Sequence, residues 1–252
     1  MNDEELLLKK RLVELSARSA ARGVYESTDF LSLSGQSILH SLERNGEVSP
    51  AALYGGTEHA ERVIAVFGSE SDCGYEYIPE ISFLSVVPLS EKFGEELTHR
   101  DVLGALMSLG IRRDLTGDIY TAEKHAFIIV VDSIASFIAE NLVSVKHTDV
   151  MCSVIDALPD NIGVHTRAEC FISTSERLDC ILSAVYNISR SAAKELFDRK
   201  SVYVNGSLRE NASCAVKEGE VISVRGKGKF IYHGAVGETK KGRLKISVGV
   251  FE

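Results

Sequence analysis

The sequence predicts an α+β protein, and three observations carry that reading. Apolar residues recur at helical spacing in some segments (Leu7, Leu8, Leu12 and Leu15; later Leu178, Ile181, Leu182 and Val185) and form short β-branched or aromatic runs in others, such as Arg62–Phe67, Ile81–Val87 and Val202–Val204. The chain has 252 residues, 44% hydrophobic and 25% charged, the mix of an ordinary globular protein with room for one large domain or two to three small ones. Charge is also segregated. From Glu176 to Glu252 there are 14 Lys+Arg against 9 Asp+Glu, a net of +5, whereas the rest carries 14 against 27, a net of −13. An acidic body with a basic C-terminal third points to a nucleic-acid-binding module at that end.

Several classes are excluded. The longest apolar stretch, Ala126–Val131, runs straight into Asp132, far short of the roughly 18 residues of a membrane span. No membrane partner is expected. The opening MNDEELLLKK has acids before its Leu run and does not read as a secretory signal. Cys73, Cys152, Cys170, Cys180 and Cys214 are odd in number, widely spaced and free of any C-x-x-C, so reduced thiols in a cytoplasmic protein are expected. There is no G-x-G-x-x-G and no Walker-type loop, and the seven histidines include no H-x-x-x-H pair. No cofactor, metal or catalytic residue is therefore expected.

The elements follow in order. Residues 3–22 read as a helix stopped by Gly23, and Asp29–Leu31 leads into a second helix over 34–44, ended by Asn45-Gly46. Arg62–Phe67 and Ile81–Val87 read as strands. Thr98 reads as an N-cap for a helix through Leu109, with Leu103, Leu106 and Met107 inward and Asp101 at N3. His99-Arg100-Asp101 is similar to a kinase catalytic-loop word, but no Gly-rich loop accompanies it, and it suits this helix's first turn. Asp118–Thr121 and Ala126–Val131 pair as a hairpin, and Asp132–Asn141 is a helix carrying Ile134, Phe137 and Ile138. Strands alternating with helices predict an α+β sandwich here, RRM-like or ferredoxin-like, with helices on one face. Asp160–Gly163 is a turn, Val164–Ile172 a connecting strand, and 173–175 a boundary loop.

In the basic third, Leu178, Ile181, Leu182 and Val185 form one helix face, and Asn187 ends it. Ser189 is an N-cap for the next helix, whose core face is Ala193, Leu196 and Phe197 and whose other face carries Arg190 and Lys194. Two cations beside a helix N-terminus suit a phosphate. Val202–Val204 is a strand, and Asn205-Gly206 a two-residue hairpin turn. A turn at Lys217–Gly219 precedes the strand Val221–Val224. Arg225-Gly226-Lys227-Gly228-Lys229-Phe230 reads as a strand end with alternating cations. Lys240-Lys241-Gly242 is a turn, and the last strand alternates Arg243, Lys245, Ser247 against Leu244, Ile246, Val248. From Arg225 to Lys245 seven cations face one acid, Glu238.

Over roughly 50 residues this third resembles the small RNA-binding domain named after bacterial ribosomal protein S-four, an αL-type motif. The matching words are Arg177-Leu178-Asp179, Ser189-Arg190-Ser191-Ala192-Ala193-Lys194, Val202-Tyr203-Val204-Asn205-Gly206 and Val221-Ile222-Ser223-Val224-Arg225-Gly226. Leu97–Leu106, then Leu109-Gly110-Ile111-Arg112-Arg113, Gly117-Asp118-Ile119 and Arg225–Phe230, resemble the signature of the YlmH family. The resemblance implies three domains: an N-terminal α+β domain (1–77), a middle RNA-binding α+β domain (78–172) and an S-four-type domain (173–252). It implies that Arg177, Ser189, Arg190, Ser191 and Lys194 contact RNA and that Asp179 orients the arginines by ion pairing. Lys200, Asn205, Arg225, Lys227 and Lys229 complete the expected RNA interface, and Arg100, Arg112 and Arg113 are candidates for a second contact. The implied partners are structured RNA (rRNA, tRNA) and the large ribosomal subunit blocked by peptidyl-tRNA, in ribosome-associated quality control; a cell-division link is attached to the family in some cocci. DNA is not an expected partner.

Two other classes compete with a non-catalytic RNA binder. Pseudouridine synthases append the same domain and carry a second Arg-Leu-Asp word in a catalytic loop. The nearest string here, Arg113-Asp114-Leu115-Thr116-Gly117, lacks the Leu between Arg and Asp and reads as a helix-to-strand connection. A protein-interaction adaptor could dock partners on the acidic N-terminal helices, although no residue selects one.

Overall fold

The computed structural model describes residues 3–57, 60–92, 94–159, 162–163 and 166–251. Half of the expected 160–163 turn and the first two residues of the expected 164–172 strand lie outside them. The chain forms two compact units, residues 1–163 and 164–252.

The first unit opens with α1 (Asp3–Arg22), β1 (Glu26–Leu31), α2 (Leu33–Arg44), β2 (Ala51–Tyr54), β3 (Val63–Phe67) and the short α3 (Glu70–Cys73). The sheet order is β1-β3-β2, antiparallel throughout. Leu12 and Leu15 of α1 and Leu39 and Leu42 of α2 bury Ala65 and Phe67 on one face. Leu7, expected on the inner face of α1, is 70% exposed. The Ser32 hydroxyl accepts from Gly35 N and opens α2, a cap worth about 1 kcal/mol.

The unit continues with β4 (Ile81–Pro88), α4 (His99–Ser108), β5 (Thr116–Ala122), β6 (His125–Val131), α5 (Ala135–Asn141), β7 (Ser144–Val145) and β8 (Thr148–Ile155). The order β5-β6-β4-β8-β7 places β4 and β6 centrally, the βαββαβ ferredoxin-like arrangement. Thr98 caps α4 in a reciprocal box with Asp101. The buried face of α4 is Val102 and Leu106, with Leu103 at its margin and Met107 at the surface. Helices α4 and α5 cover one face of this sheet, over Leu84, Val86, Ile128, Val130 and Val150.

The other face is partly covered. Ile129, Phe83, Tyr120 and Val131 pack on Phe30, Ile64 and Val66 of the N-terminal sheet. A Cβ at Gly117 would lie 2.9 Å from the Phe30 ring, so glycine permits this approach. Polar bonds stitch the layers. Arg62 donates to the carbonyls of Thr116 (2.9 Å), Phe30 (3.0 Å) and Arg113 (3.0 Å). The Asp118 carboxylate accepts from Glu61 N (2.7 Å) and Arg62 N (3.2 Å). Burial pushes the Asp118 carboxyl up to about 6. The segments expected as separate domains, 1–77 and most of 78–172, thus share one compact unit.

The second unit holds β9 (Thr166–Ser173), α6 (Leu178–Val185), α7 (Arg190–Asp198), β10 (Val202–Val204), β11 (Ser207–Leu208), β12 (Val221–Val224), β13 (Gly228–Glu238) and β14 (Leu244–Phe251). Its antiparallel sheet runs β11-β10-β12-β13-β14-β9. Leu178, Ile181 and Leu182 of α6 and Ala193 and Phe197 of α7 pack on Val204, Ile222, Phe230, Tyr232, Ile246 and Val248. The strand expected as a connection is this sheet's edge strand, paired with β14 from Thr166↔Phe251 to Ser173↔Leu244. The boundary therefore lies before β9 rather than at 172/173. The paired positions are 71 to 85 residues apart in sequence, beyond any local reading.

Ile129→Ala should lower stability by about 2–5 kcal/mol in urea unfolding, by opening the inter-layer core. Because the folded-state pKa of Asp118 is raised, its contribution should fade as pH rises from about 4 through 6. Stability measured across that window should fall less steeply in Asp118→Asn.

Candidate RNA interface

Two of the expected interface residues of the second unit, Arg177 and Arg190, meet on one buried carboxylate, that of Asp179. After β9, the Ser173 hydroxyl donates to Ser175 O and turns the chain into α6. The 212–216 segment then closes over the start of the helix: Leu178 N donates to Cys214 O, Asp179 N to Ala212 O, and Val216 N to Glu176 O. The first amides of α6 are spent inside the fold, so this helix end offers no anion seat. Asp179 is 0% exposed. Arg177 meets it with two parallel bonds, Nε to Oδ1 at 3.1 Å and Nη2 to Oδ2 at 3.0 Å. Arg190 Nη2 donates to the same Oδ2 at 3.2 Å. Burial opposes the charge on Asp179, but bonds from Arg177, Arg190 and the Cys180 thiol outweigh it and hold the carboxyl down to about 2.

One buried charge thus fixes two guanidiniums whose side chains remain 40% and 53% exposed. Each guanidinium has five N–H donors, so the pairing leaves some over for a phosphate. Arg177 Nη2 also donates to Ser213 Oγ at 2.7 Å. Sequence reasoning missed Ser213, because 36 residues separate it from Arg177 and no motif marks the loop.

Ser189 caps α7, accepting from Ala192 N at 3.1 Å and sharing a 2.9 Å bond with the Ser191 hydroxyl. Arg190 and Lys194 stand exposed one turn apart while Ala193 and Phe197 are buried beneath.

Arg225 and Lys227 sit in the turn between β12 and β13 rather than alternating along a strand end. Gly226 and Gly228 make that turn with φ of 76° and 108°. Aromatic rings support its cations: Arg225 lies 5.0 Å from the Tyr203 centroid, Lys227 5.7 Å from Tyr186 and Lys229 5.3 Å from Phe251. The Tyr186 hydroxyl donates to Gly228 O at 3.1 Å and anchors the turn to the end of α6. These ring partners were also missed; their positions 22 to 41 residues away along the chain carry no signal.

Other expected contacts serve the fold. Asn205 and Gly206 hold the hairpin turn with φ of 48° and 72°, and the Asn205 side-chain oxygen accepts from Val221 N at 2.9 Å. Lys200 pairs with Glu210 at 3.0 Å on the surface. In the first unit Arg100 is exposed, but Arg112 pairs with Asp29 (3.1 Å) and Asp114 (3.2 Å). Arg113 turns inward: its Nη1 donates to the carbonyls of Thr116 and Gly117, and burial lowers its pKa to about 10. Arg113 therefore braces the connection between α4 and β5 and is removed from the second-contact set. Among the described residues no group of His, Cys, Asp or Glu could hold a metal ion, and no helix is long and apolar enough to cross a membrane.

This fold, with Arg177 and Arg190 paired to one buried carboxylate and partly exposed, defines an α+β protein with a cationic surface on its C-terminal unit. Residues 80–158 match the family model described as "Putative RNA-binding domain in YlmH". The chain is 31% identical over 225 residues to the "Ribosome-associated protein quality control protein P2" of Bacillus subtilis (strain 168), covering 87% of this chain and 85% of that protein. The chain belongs to the YlmH family. A solved structure, "Cell division protein ylmH from Streptococcus pneumoniae", is similar over 62% of this chain and 93% of its own length, at 20% identity and a TM-score of 0.47.

Since the pKa of Asp179 is depressed, its stabilisation is full above pH 4 and lost as pH falls toward about 2. Acid unfolding followed by circular dichroism should show this loss in the native protein and a flatter profile in Asp179→Asn.

Proposed function

We propose that the protein is a non-catalytic RNA-binding factor that grips structured rRNA and tRNA through its C-terminal unit. It acts in the cytoplasm, on large ribosomal subunits carrying obstructing peptidyl-tRNA, as a component of ribosome-associated quality control. The observation that carries this reading is the bidentate Arg177–Asp179 pair with Arg190 on the same carboxylate. It presents two fixed guanidiniums beside the exposed Lys194. Such a surface reads phosphate positions and shape rather than base edges. The family match to an RNA-binding domain and the quality-control relative support the same assignment. Against the enzyme reading, Arg113 and Asp114 are engaged in a structural turn.

The test is RNA affinity as a function of salt. Replacing Arg190 and Lys194 by Ala should weaken binding and reduce the slope of log K against log[salt] by about 1.8, at 0.9 per duplex phosphate contact. Wild-type affinity and slope in the double variant, with an unchanged circular dichroism spectrum, would remove this face from the interface.

A further inference from the structure

The seven cations between Arg225 and Lys245 do not form one patch. The 11-residue strand β13 separates them. Arg225, Lys227 and Lys229 lie at its start, where Val224 pairs with Gly228. Lys240, Lys241 and Arg243 lie past its end, in the turn to β14, and Lys245 follows on β14 opposite Gly237, where Glu238 pairs with Leu244 and Leu244 with Ser173. At about 3.3 Å per residue the two ends stand at most on the order of 30 Å apart, because register shifts between Tyr232 and Ala235 and between Ala235 and Gly237 bend the strand. The Tyr232 hydroxyl, midway along the strand, donates to Glu176 at 2.7 Å. The start of α6, with Arg177, is thus tied to the middle of the strand whose two ends carry the other groups.

The hairpin tip has the marks of a preformed contact. Thr239 N donates to Arg243 O (2.8 Å), Gly242 N to Thr239 O (2.9 Å), and Arg243 N to Thr239 Oγ1 (3.1 Å). Gly242 closes the turn at a φ of 72°. All four cations are exposed, and among the described residues none of them is in an ion pair. Arg199 and Lys200, by contrast, each face a carboxylate, Glu195 and Glu210. Four like charges within six residues repel one another, and a polyanion relieves that repulsion.

We propose that the β13–β14 hairpin tip is a second RNA-phosphate arm, holding a part of the RNA up to about 30 Å from the part held by the Arg225–Lys229 segment. This rests on the RNA reading above and extends it to four residues outside the S-four-type words. The two contact groups are held apart by one bulged strand paired on both sides at its start and along β14 to its end, so the protein favours RNA whose phosphates reach both groups. A stem-loop too short to span β13 engages one group at a time.

The experiment uses the full chain, deproteinised ribosomal RNA and short stem-loop fragments of it, with affinity measured across a salt series. The variant carries Lys240→Gln, Lys241→Gln, Arg243→Gln and Lys245→Gln. On the long RNA its salt slope should fall by up to about 3.6, four contacts at 0.9 each, with a thermal midpoint equal to or above that of the native protein. On the shortest stem-loops the difference from wild type should shrink. A charge-keeping variant, Lys240→Arg with Lys241→Arg and Lys245→Arg, should retain the native slope. A wild-type slope in the quadruple variant, alongside a reduced slope in Arg190→Ala/Lys194→Ala, overturns the hairpin arm and leaves the RNA reading standing. A flat salt dependence in the native protein overturns both.

Discussion

The buried carboxylate of Asp179 is the constraint on which the C-terminal unit depends. A charge taken fully out of water is costly unless paired and hydrogen-bonded. Here the partners come from three places: Arg177 just before α6, Cys180 beside it, and Arg190 at the first turn of α7. The pairing therefore requires α6 and α7 to be docked, which the burial of Leu178, Ile181, Ala193 and Phe197 achieves. Core packing and surface charge are one device. The apolar faces bring the helices together, the carboxylate fixes the guanidiniums, and the guanidiniums keep donors for an outside anion.

The first unit is ordered by a different device, two sheets face to face with Arg62 and Asp118 bridging them. An RRM stacks bases on the open face of its sheet. In this chain part of that face, around Phe83 and Ile129, is packed against Phe30 and Ile64. The ferredoxin-like topology is present, but the stacked part of its sheet is spent on intramolecular packing. RNA contact by residues 80–158 cannot use the packed part of that face, and Arg100 on α4 is exposed.

Local signals were legible wherever local physics decides the structure. The caps at Thr98 and Ser189, the Asn205-Gly206 turn and the apolar face of α6 were readable because each is complete within a few residues. Strands β1, β2 and β8 were not, because they are fixed by partners elsewhere in the sheet. The role of β9 depends on β14, the support of Arg225 on Tyr203, and the second partner of Arg177 on Ser213. The cation run shows the same limit. Composition revealed that positive charge is concentrated after Glu176, whereas only the register of β13 shows that it divides between two ends of a strand.

The most direct measurement is ultraviolet crosslinking of the intact protein to purified large ribosomal subunits, with peptide mapping by mass spectrometry. The account predicts RNA adducts on peptides containing Arg177 and the 189–194 segment. Adducts confined to residues 3–157, with none after Ser173, would contradict it.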